Sequence, residues 1–263
     1  MAPHVTPPMG AALAAAGWNF VDRVGNVRLE LEPGLLFHVE GKRPPPTPAR
    51  GRGLGAPGYR ALFAILAQPE LTNLPVREAA VRAGIGKSTF AYAVERLVEE
   101  GGLRRTGRGL LLKDRKALID RWVTGYHDVL RPRLLQGIYQ TPWQVEELEE
   151  RVTMVLAEPT PPGTRWAWGG GAAAFRIAHH YRGELTVVHV DPPVPGLARD
   201  LRALPARQGH LVVLGVPGPL AFAGVKPGTV HPLLAYAELA TADDEPAREA
   251  AVDLLQRFLH PEA

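Results

Sequence analysis

The stretch that decides the fold is residues 57–113, PGYRALFAILAQPELTNLPVREAAVRAGIGKSTFAYAVERLVEEGGLRRTGRGLLLK. Apolar residues recur there at helical spacing within 59–67, 76–82 and 87–100. Pro69 ends the first of these segments, and the turn 83–86 separates the other two, since Gly84 can adopt the positive φ that ends a helix. A hairpin with a glycine-containing turn follows over 103–113. Three helices and a hairpin in this order predict a winged helix-turn-helix.

The third helix, 87–100, has two chemically different faces. Phe90, Val94, Leu97 and Val98 form an apolar stripe, and polar residues occupy the opposite side. In this fold the third helix enters the DNA major groove with its N-terminal residues toward the base edges, and basic residues of the wing contact phosphates. The candidate DNA-binding residues are therefore Lys87, Ser88, Thr89, Tyr92 and Arg96 on the helix and Arg104, Arg105 and Arg108 on the wing.

The sequence GIGKST at 84–89 is similar to the end of a phosphate-binding Walker A loop. That motif requires a glycine at position 81 and a preceding strand, whereas Val81 stands there and the preceding segment has a helical pattern. The stretch therefore predicts the start of a helix and not a nucleotide site.

Charge is distributed unevenly along the chain, whose total of +3 conceals a basic block. Residues 42–131 carry seventeen Lys or Arg against eight Asp or Glu. Residues 1–41 carry two against four, and residues 132–263 carry eleven against fifteen. A basic block between acidic ones is the expected footprint of one polyanion-binding domain. The acidic C-terminal part favours a protein partner.

Composition excludes several classes of site and of protein. The chain has no cysteine, which excludes disulfides, thiolate metal sites and cysteine nucleophiles, and no apolar run reaches membrane-spanning length. The N-terminus lacks the basic region of a signal peptide. We expect a cytoplasmic protein without membrane association, cofactor or bound metal.

Patterning predicts an α+β fold of several parts. Residues 1–41 form a small α+β element, 42–58 a basic Pro/Gly-rich linker, 59–115 the winged helix, and 116–263 a mixed α/β domain. In the first part, strands are expected at 27–31, which alternates as a half-buried strand does, and at 35–40.

An enzymatic alternative rests on Asp22, Glu40 and Lys42. An Asp on one strand and a Glu-x-Lys on the next resembles the core of PD-(D/E)xK nucleases, in which carboxylates hold Mg²⁺ and lysine supports the attacking water. Glu-x-Lys at a strand end is more often a solvated end. The C-terminal part offers little chemistry, because Gly169–Gly171 is best explained as a tight turn. His179, His180 and His189 lack a carboxylate or cysteine to complete a metal site.

Several segments in their order along the chain resemble the AbiEi-like antitoxin family of type IV toxin–antitoxin systems. The segments are 17–20, 25–26, 121–126, 130–137, 230–240 and 243–251. The resemblance implies a winged helix joined to a C-terminal antitoxin domain. It also implies a non-enzymatic regulator that represses its own operon and opposes a nucleotidyltransferase toxin. Double-stranded DNA, the toxin and a second copy of the chain are the implied partners. A stand-alone regulator or adaptor without a toxin is the remaining alternative.

Overall fold

A computed structural model of the chain describes residues 5–31, 34–41, 54–107, 109–158, 161–179 and 181–259. It divides into two compact units, residues 1–53 and residues 54–263. The described helices are α1 (Pro7–Ala15), α2 (Ala56–Ala67), α3 (Val76–Ala83), α4 (Lys87–Glu99), α5 (Arg115–Gly125), α6 (Arg131–Leu134), α7 (Val145–Val155), α8 (Gly170–Ala178), α9 (Leu197–Asp200), α10 (Pro232–Ala240) and α11 (Glu245–Leu254). The described strands are β1 (Phe20–Val21), β2 (Val27–Leu31), β3 (Leu35–Val39), β4 (Leu103–Thr106), β5 (Gly109–Leu112), β6 (Leu135–Gln140), β7 (Arg165–Gly169), β8 (Thr186–Asp191), β9 (Leu204–Pro205) and β10 (Leu211–Leu214). The α+β fold class is confirmed.

The first unit combines α1 with an antiparallel sheet in the order β1-β2-β3. Cross-strand pairs such as Leu29–Phe37 and Leu31–Leu35 place apolar side chains on one face of this sheet. The strands stand where the alternation predicts them. Their burial is lower than predicted, because every residue of β3 is exposed and Leu31 is exposed as well. Alternation reports which residues share a face, and not whether another element covers that face.

The second unit begins with α2, α3, α4 and the β4–β5 hairpin, the order of elements that the sequence predicts. Helix α2 starts at Ala56, three residues before the predicted start, with Pro57 in its first turn. Proline is well suited to that position, because its φ is already helical and its missing N–H has no partner to lose. A short 3₁₀ helix, Pro69–Asn73, joins α2 to α3 and was not predicted.

A long helical segment follows the hairpin. Helix α5 starts at an Asp114 cap that accepts a hydrogen bond from the Ala117 N–H at 2.9 Å. It continues through a π-helical turn, Tyr126–Leu130, into α6. This segment contributes large buried aromatic side chains, such as Trp122, and it leads into β6. The sequence pattern did not predict this π turn.

The C-terminal part of the second unit is built on a mixed sheet in the order β7-β8-β10-β6-β9. Strands β8 and β10 run parallel, and the other neighbours pair antiparallel. All of β10 and five of the six residues of β8 are buried, as expected of strands covered on both faces. Helices α8 and α10 pack against each other beside β7 and β8.

Buried side chains from α2 through α11 form one continuous apolar cluster. The boundary between a winged helix of 59–115 and a C-terminal domain of 116–263 therefore stays a prediction. Residues 42–53 of the predicted linker lie outside the described residues, and Ala56–Gly58 belong to α2. Among the residues that the structure describes, no helix is long and apolar enough to cross a membrane.

Candidate nucleic-acid interface

Helix α4 is held in the second unit by one buried face. Phe90, Ala93, Val94 and Leu97 are buried there, with the i, i+3, i+4, i+7 spacing that the sequence predicts. Burial of Phe90, Val94 and Leu97 contributes about 1.5–3 kcal/mol each to the stability of the fold. The opposite face of α4 is thereby fixed in orientation and left toward solvent.

The first two turns of that solvent face carry the predicted DNA-contacting side chains. Lys87 and Ser88 are exposed, Thr89 is half-buried, and Tyr92 is 60% exposed. Gly86 precedes the helix in an extended conformation and supplies no side-chain cap for its first N–H groups. Free N–H groups at a helix start attract anions. The structure therefore brings a cation, two hydroxyls and an exposed aromatic ring together at one end of one helix.

Arg96 lies near the other end of α4 and is committed to ion pairs. Its guanidinium lies 2.9 Å from the Glu99 carboxylate and 2.8 Å from the Glu100 carboxylate. Glu100 also pairs with Arg121 of α5 at 2.5 Å. The Arg96 side chain is only 19% exposed. Its position suits bracing α4 against α5 more than reaching a phosphate.

The hairpin residues alternate between two faces. Arg105 turns toward α4 and pairs with Glu95. Arg104 lies opposite Leu111 on the other face, where both side chains are exposed. Arg108 falls outside the described residues. Of the described wing arginines, Arg104 is therefore the one whose charge is not offset by a neighbouring carboxylate.

The turn between α3 and α4 explains Gly84 of the GIGKST sequence. Gly84 has φ +68°, and a Cβ there would stand 2.4 Å from Cδ of Pro219. The Ile85 N–H closes α3 by donating to the Ala80 carbonyl at 3.1 Å. Helix α3 precedes this turn, so the interpretation of residues 84–89 as a helix start is confirmed. Close packing by Pro219 also ties the turn to the C-terminal part of the unit.

A row of buried aromatics connects α2 to the C-terminal part. The rings of Phe63 and Trp122 are 5.4 Å apart, and those of Trp122 and Tyr126 are 5.0 Å apart. The Tyr126 hydroxyl donates to Glu238 at 2.5 Å. Arg131 donates to both oxygens of that carboxylate, at 2.8 and 2.9 Å. This network places the DNA-binding candidate segment and α10 on a common rigid support.

The electrostatics of that network follow from its burial. Burial alone raises the pKa of a carboxyl group, but the hydrogen bonds and charge of Arg131 outweigh it and hold the pKa of Glu238 below its ordinary value of 4.5. Burial and the adjacent Glu238 charge raise the pKa of Tyr126 well above its ordinary value. Glu238 is therefore ionised and Tyr126 neutral at physiological pH.

Several basic side chains of residues 54–133 have no carboxylate partner among the described residues. Within the described part of 54–133, the cations that make no ion pair and no hydrogen bond are Arg60, Arg77, Lys87, Arg104, Lys113 and Arg133. Cations whose charge is not offset locally dominate the field felt by a polyanion. The segment thus retains the positive character that its composition predicts.

Asp22, the first carboxylate of the nuclease alternative, has a structural role. Asp22 is buried, and its oxygens accept hydrogen bonds from the N–H groups of Val5, Val24 and Asn26 at 2.8 Å each. Burial opposes ionisation, yet these bonds and the Asn26 side chain outweigh it and lower the pKa of Asp22 far below its usual range. A carboxylate so occupied orders the turn into β2.

Of the other two residues of the nuclease alternative, only Glu40 lies in the described part of the chain. Glu40 is exposed and lies 3.5 Å from His38, and Lys42 lies outside the described residues. The described part of the chain contains no cluster of three or more His, Asp or Glu suited to hold a metal ion.

His189 is buried, which lowers its pKa, and its Nδ1 lies 2.9 Å from the Gly215 carbonyl.

Sequence patterns missed residues whose roles arise from tertiary contacts. Arg60 and Arg133 are distant in sequence and line the same groove as Thr89. Glu238, Tyr126 and Arg131 also meet only in the folded chain. The one available signal was that Arg133 lies two residues beyond the basic block 42–131, and charge alone does not say which way a side chain faces.

Comparison with known proteins gives one result for the C-terminal part. A family model described as "Transcriptional regulator, AbiEi antitoxin, Type IV TA system" matches residues 111–260, which is more than half of the chain. No curated protein and no solved structure matches the chain. The matched range begins in β5 and includes the whole of the mixed sheet.

Proposed function

We propose that this chain, which belongs to the AbiEi family of antitoxin transcriptional regulators of type IV toxin–antitoxin systems, binds duplex DNA of its own operon through residues 56–112 and represses it. Helix α4 would enter the major groove, with Lys87, Ser88, Thr89 and Tyr92 toward the bases. The observation that carries the proposal is the N-terminal end of α4. These side chains project there from a helix whose orientation is fixed by its buried face. Arg104 of the hairpin supplies a phosphate contact.

The first experiment is footprinting of the protein on the promoter upstream of its gene, followed by titration of the protected duplex. We expect Lys87→Ala and Tyr92→Ala to weaken specific binding by about 1–3 kcal/mol each, because they would remove contacts at base edges. Arg104→Ala should weaken specific and nonspecific duplexes equally. The control is Arg207→Ala, an exposed arginine beyond β9. Affinities equal to that control in all three variants would refute the proposal.

Repression requires a defined geometry on the operator. Proteins of this kind bind as dimers to two half-sites separated by one helical turn or a multiple of it. We therefore propose that two copies occupy one operator in the cytoplasm. Sedimentation of the complex tests the stoichiometry, which should be two chains per duplex. A single chain on a footprint without dyad symmetry would argue against a dimer.

The antitoxin role is proposed for the C-terminal part, which the family model covers. Its composition is acidic, and α7 presents the exposed side chains of Glu146, Glu147 and Glu150, of which the first two pair with Arg182 and Arg151. Expression of a nucleotidyltransferase gene adjacent to this one should slow growth, and coexpression of the full chain should restore it. If Lys87→Ala abolishes repression but preserves growth rescue, the two roles are separable. Failure to rescue would leave a stand-alone regulator.

A nuclease activity is the second candidate that the sequence raised. The hydrogen bonds that occupy Asp22 speak against it. Incubation of supercoiled and linear DNA with the full chain and Mg²⁺ or Mn²⁺ tests it directly. Cleavage that disappears in Glu40→Ala would support the enzyme, and we expect intact DNA.

A further inference from the structure

A groove of about 400 Å³ lies beside the start of α4. It is bounded by the first turn of α2, by the turn between α3 and α4, and by the end of the π turn and α6. Its described lining includes Arg60, Thr89 and Arg133 and contains no carboxylate. The groove therefore offers two positive charges and a hydroxyl without a neutralising group.

Neither arginine of this groove has a polar partner in the part of the chain that the structure describes. Among the described residues, no carboxylate pairs with Arg60 or Arg133, and no side-chain or main-chain acceptor bonds to them. Arg131, two residues before Arg133, shows the contrast, because it is held by Glu238. Two arginines that line one groove without a counter-ion repel each other, and a bound anion would relieve that repulsion.

Both arginines are placed by rigid elements. Arg60 belongs to α2, whose neighbours Ala61 and Leu62 are buried. Arg133 belongs to α6, between the buried Leu130 and Leu134. Side chains on such elements hold their charge in a defined place, which favours binding of an anion at a specific position over nonspecific screening by mobile ions.

We propose that Arg60 and Arg133 form a second DNA-backbone contact, holding phosphates that flank the bases facing α4. The contact rests on the proposed function. It extends the DNA surface past the predicted winged helix, since Arg133 belongs to the segment that the antitoxin family model covers. Thr89 lines the groove from the same helix turn as Lys87 and Ser88, so a strand that passes those residues also passes the arginines. Guanidinium groups bind phosphate oxygens through paired N–H donors.

The test is duplex affinity measured over a series of salt concentrations for Arg60→Ala, Arg133→Ala and the double variant of the full chain. Each substitution should weaken binding about threefold to tenfold near physiological salt and reduce the slope of log affinity against log salt by about 1. The loss should be the same for operator and nonspecific DNA, because phosphates carry no sequence information. Arg60→Lys and Arg133→Lys, which keep the charge but lose the paired donors, should leave the salt slope unchanged and lose less affinity than the alanine variants.

Arg207→Ala is the matched control. If both groove variants equal that control while Lys87→Ala weakens operator binding, this inference is wrong and the proposed function survives. If the unaltered protein binds no duplex, both are overturned. Free phosphate is the other source of the same ligand chemistry, and thermal melting in inorganic phosphate distinguishes it. Stabilisation by phosphate that is lost in the double variant, with unchanged DNA affinity, would overturn the DNA assignment.

Discussion

The buried polar network of Tyr126, Arg131 and Glu238 depends on the charge of Arg131, and the variant Arg131→Ala tests that dependence. The Glu238 side chain is only 4% exposed and receives two hydrogen bonds from Arg131 and one from Tyr126. In Arg131→Ala the carboxylate stays buried with a single donor. Breaking a buried ion pair by removing one partner costs about 3–5 kcal/mol, and we expect a loss of unfolding free energy in that range at pH 7.

The loss should depend on pH in a direction that the network determines. In the unaltered protein the pKa of Glu238 lies below its ordinary 4.5, so the carboxylate contributes stability that is present above pH 4.5 and is lost at more acid pH. Without Arg131, burial dominates and raises that pKa above the ordinary value. The variant should then gain stability, relative to the unaltered protein, as pH falls from 7 toward 5.

Urea unfolding monitored by tryptophan fluorescence at pH 7 and pH 5.5 measures both effects. Arg82→Ala is the matched control, because its partner Glu78 is a half-exposed neighbour one helical turn away, and such pairs contribute about 0.5 kcal/mol. The triple variant Arg131→Met, Glu238→Leu and Tyr126→Phe should recover most of the stability, since neither a charge nor an unpaired hydroxyl stays buried. A loss below about 1 kcal/mol in Arg131→Ala, or one independent of pH, would refute the reasoning.

Two further predictions concern single residues of the second unit. Gly84→Ala should cost about 2–4 kcal/mol of unfolding free energy, because φ is +68° and the new Cβ would meet Pro219 at 2.4 Å. Gly101→Ala, with φ +78° and open space, should cost only about 1 kcal/mol, and equal losses in urea titrations would contradict the clash. Burial lowers the pKa of His231 from 6.5 to about 4, so this group's stabilisation, full above pH 6.5, should fall by up to about 3 kcal/mol toward pH 4. His231→Asn keeps a cap acceptor for α10 and should remove this part of the pH dependence, and an unchanged pH profile would disprove the assignment.

Local patterns were sufficient for most elements that position the candidate interface. The apolar stripe of α4 and the glycine turn before it predicted the helix within one residue at its C-terminal end. Proline and glycine at the remaining boundaries act through their own backbone preferences, so those boundaries follow from local sequence. The 3₁₀ helix at Pro69 and the π turn at Tyr126 escaped prediction, because their backbone geometry depends on neighbours in space.

The candidate contacts were predictable as a chemical set and not as individuals. Charge marked Arg96, Arg105 and Arg60 alike as basic residues of one block. The fold pairs Arg96 and Arg105 with acids, whereas no described acid pairs with Arg60. Side-chain alternation on a hairpin predicts two faces, but which face meets α4 depends on how the hairpin packs. Predictions about particular phosphate contacts therefore needed the three-dimensional positions of acids distant in the sequence.

By itself the sequence determined the α+β class, the helix–helix–helix–hairpin order of residues 56–112, and the basic character of that segment. These are local properties, since periodicity, backbone preference and net charge are each set by residues close along the chain. Only the tertiary structure decided that Glu238 pairs with Arg131, that Pro219 packs on the turn before α4, and that Arg60 and Arg133 share one groove. The physical reason is that burial and pairing depend on distances between residues far apart in sequence, which packing of the whole core sets.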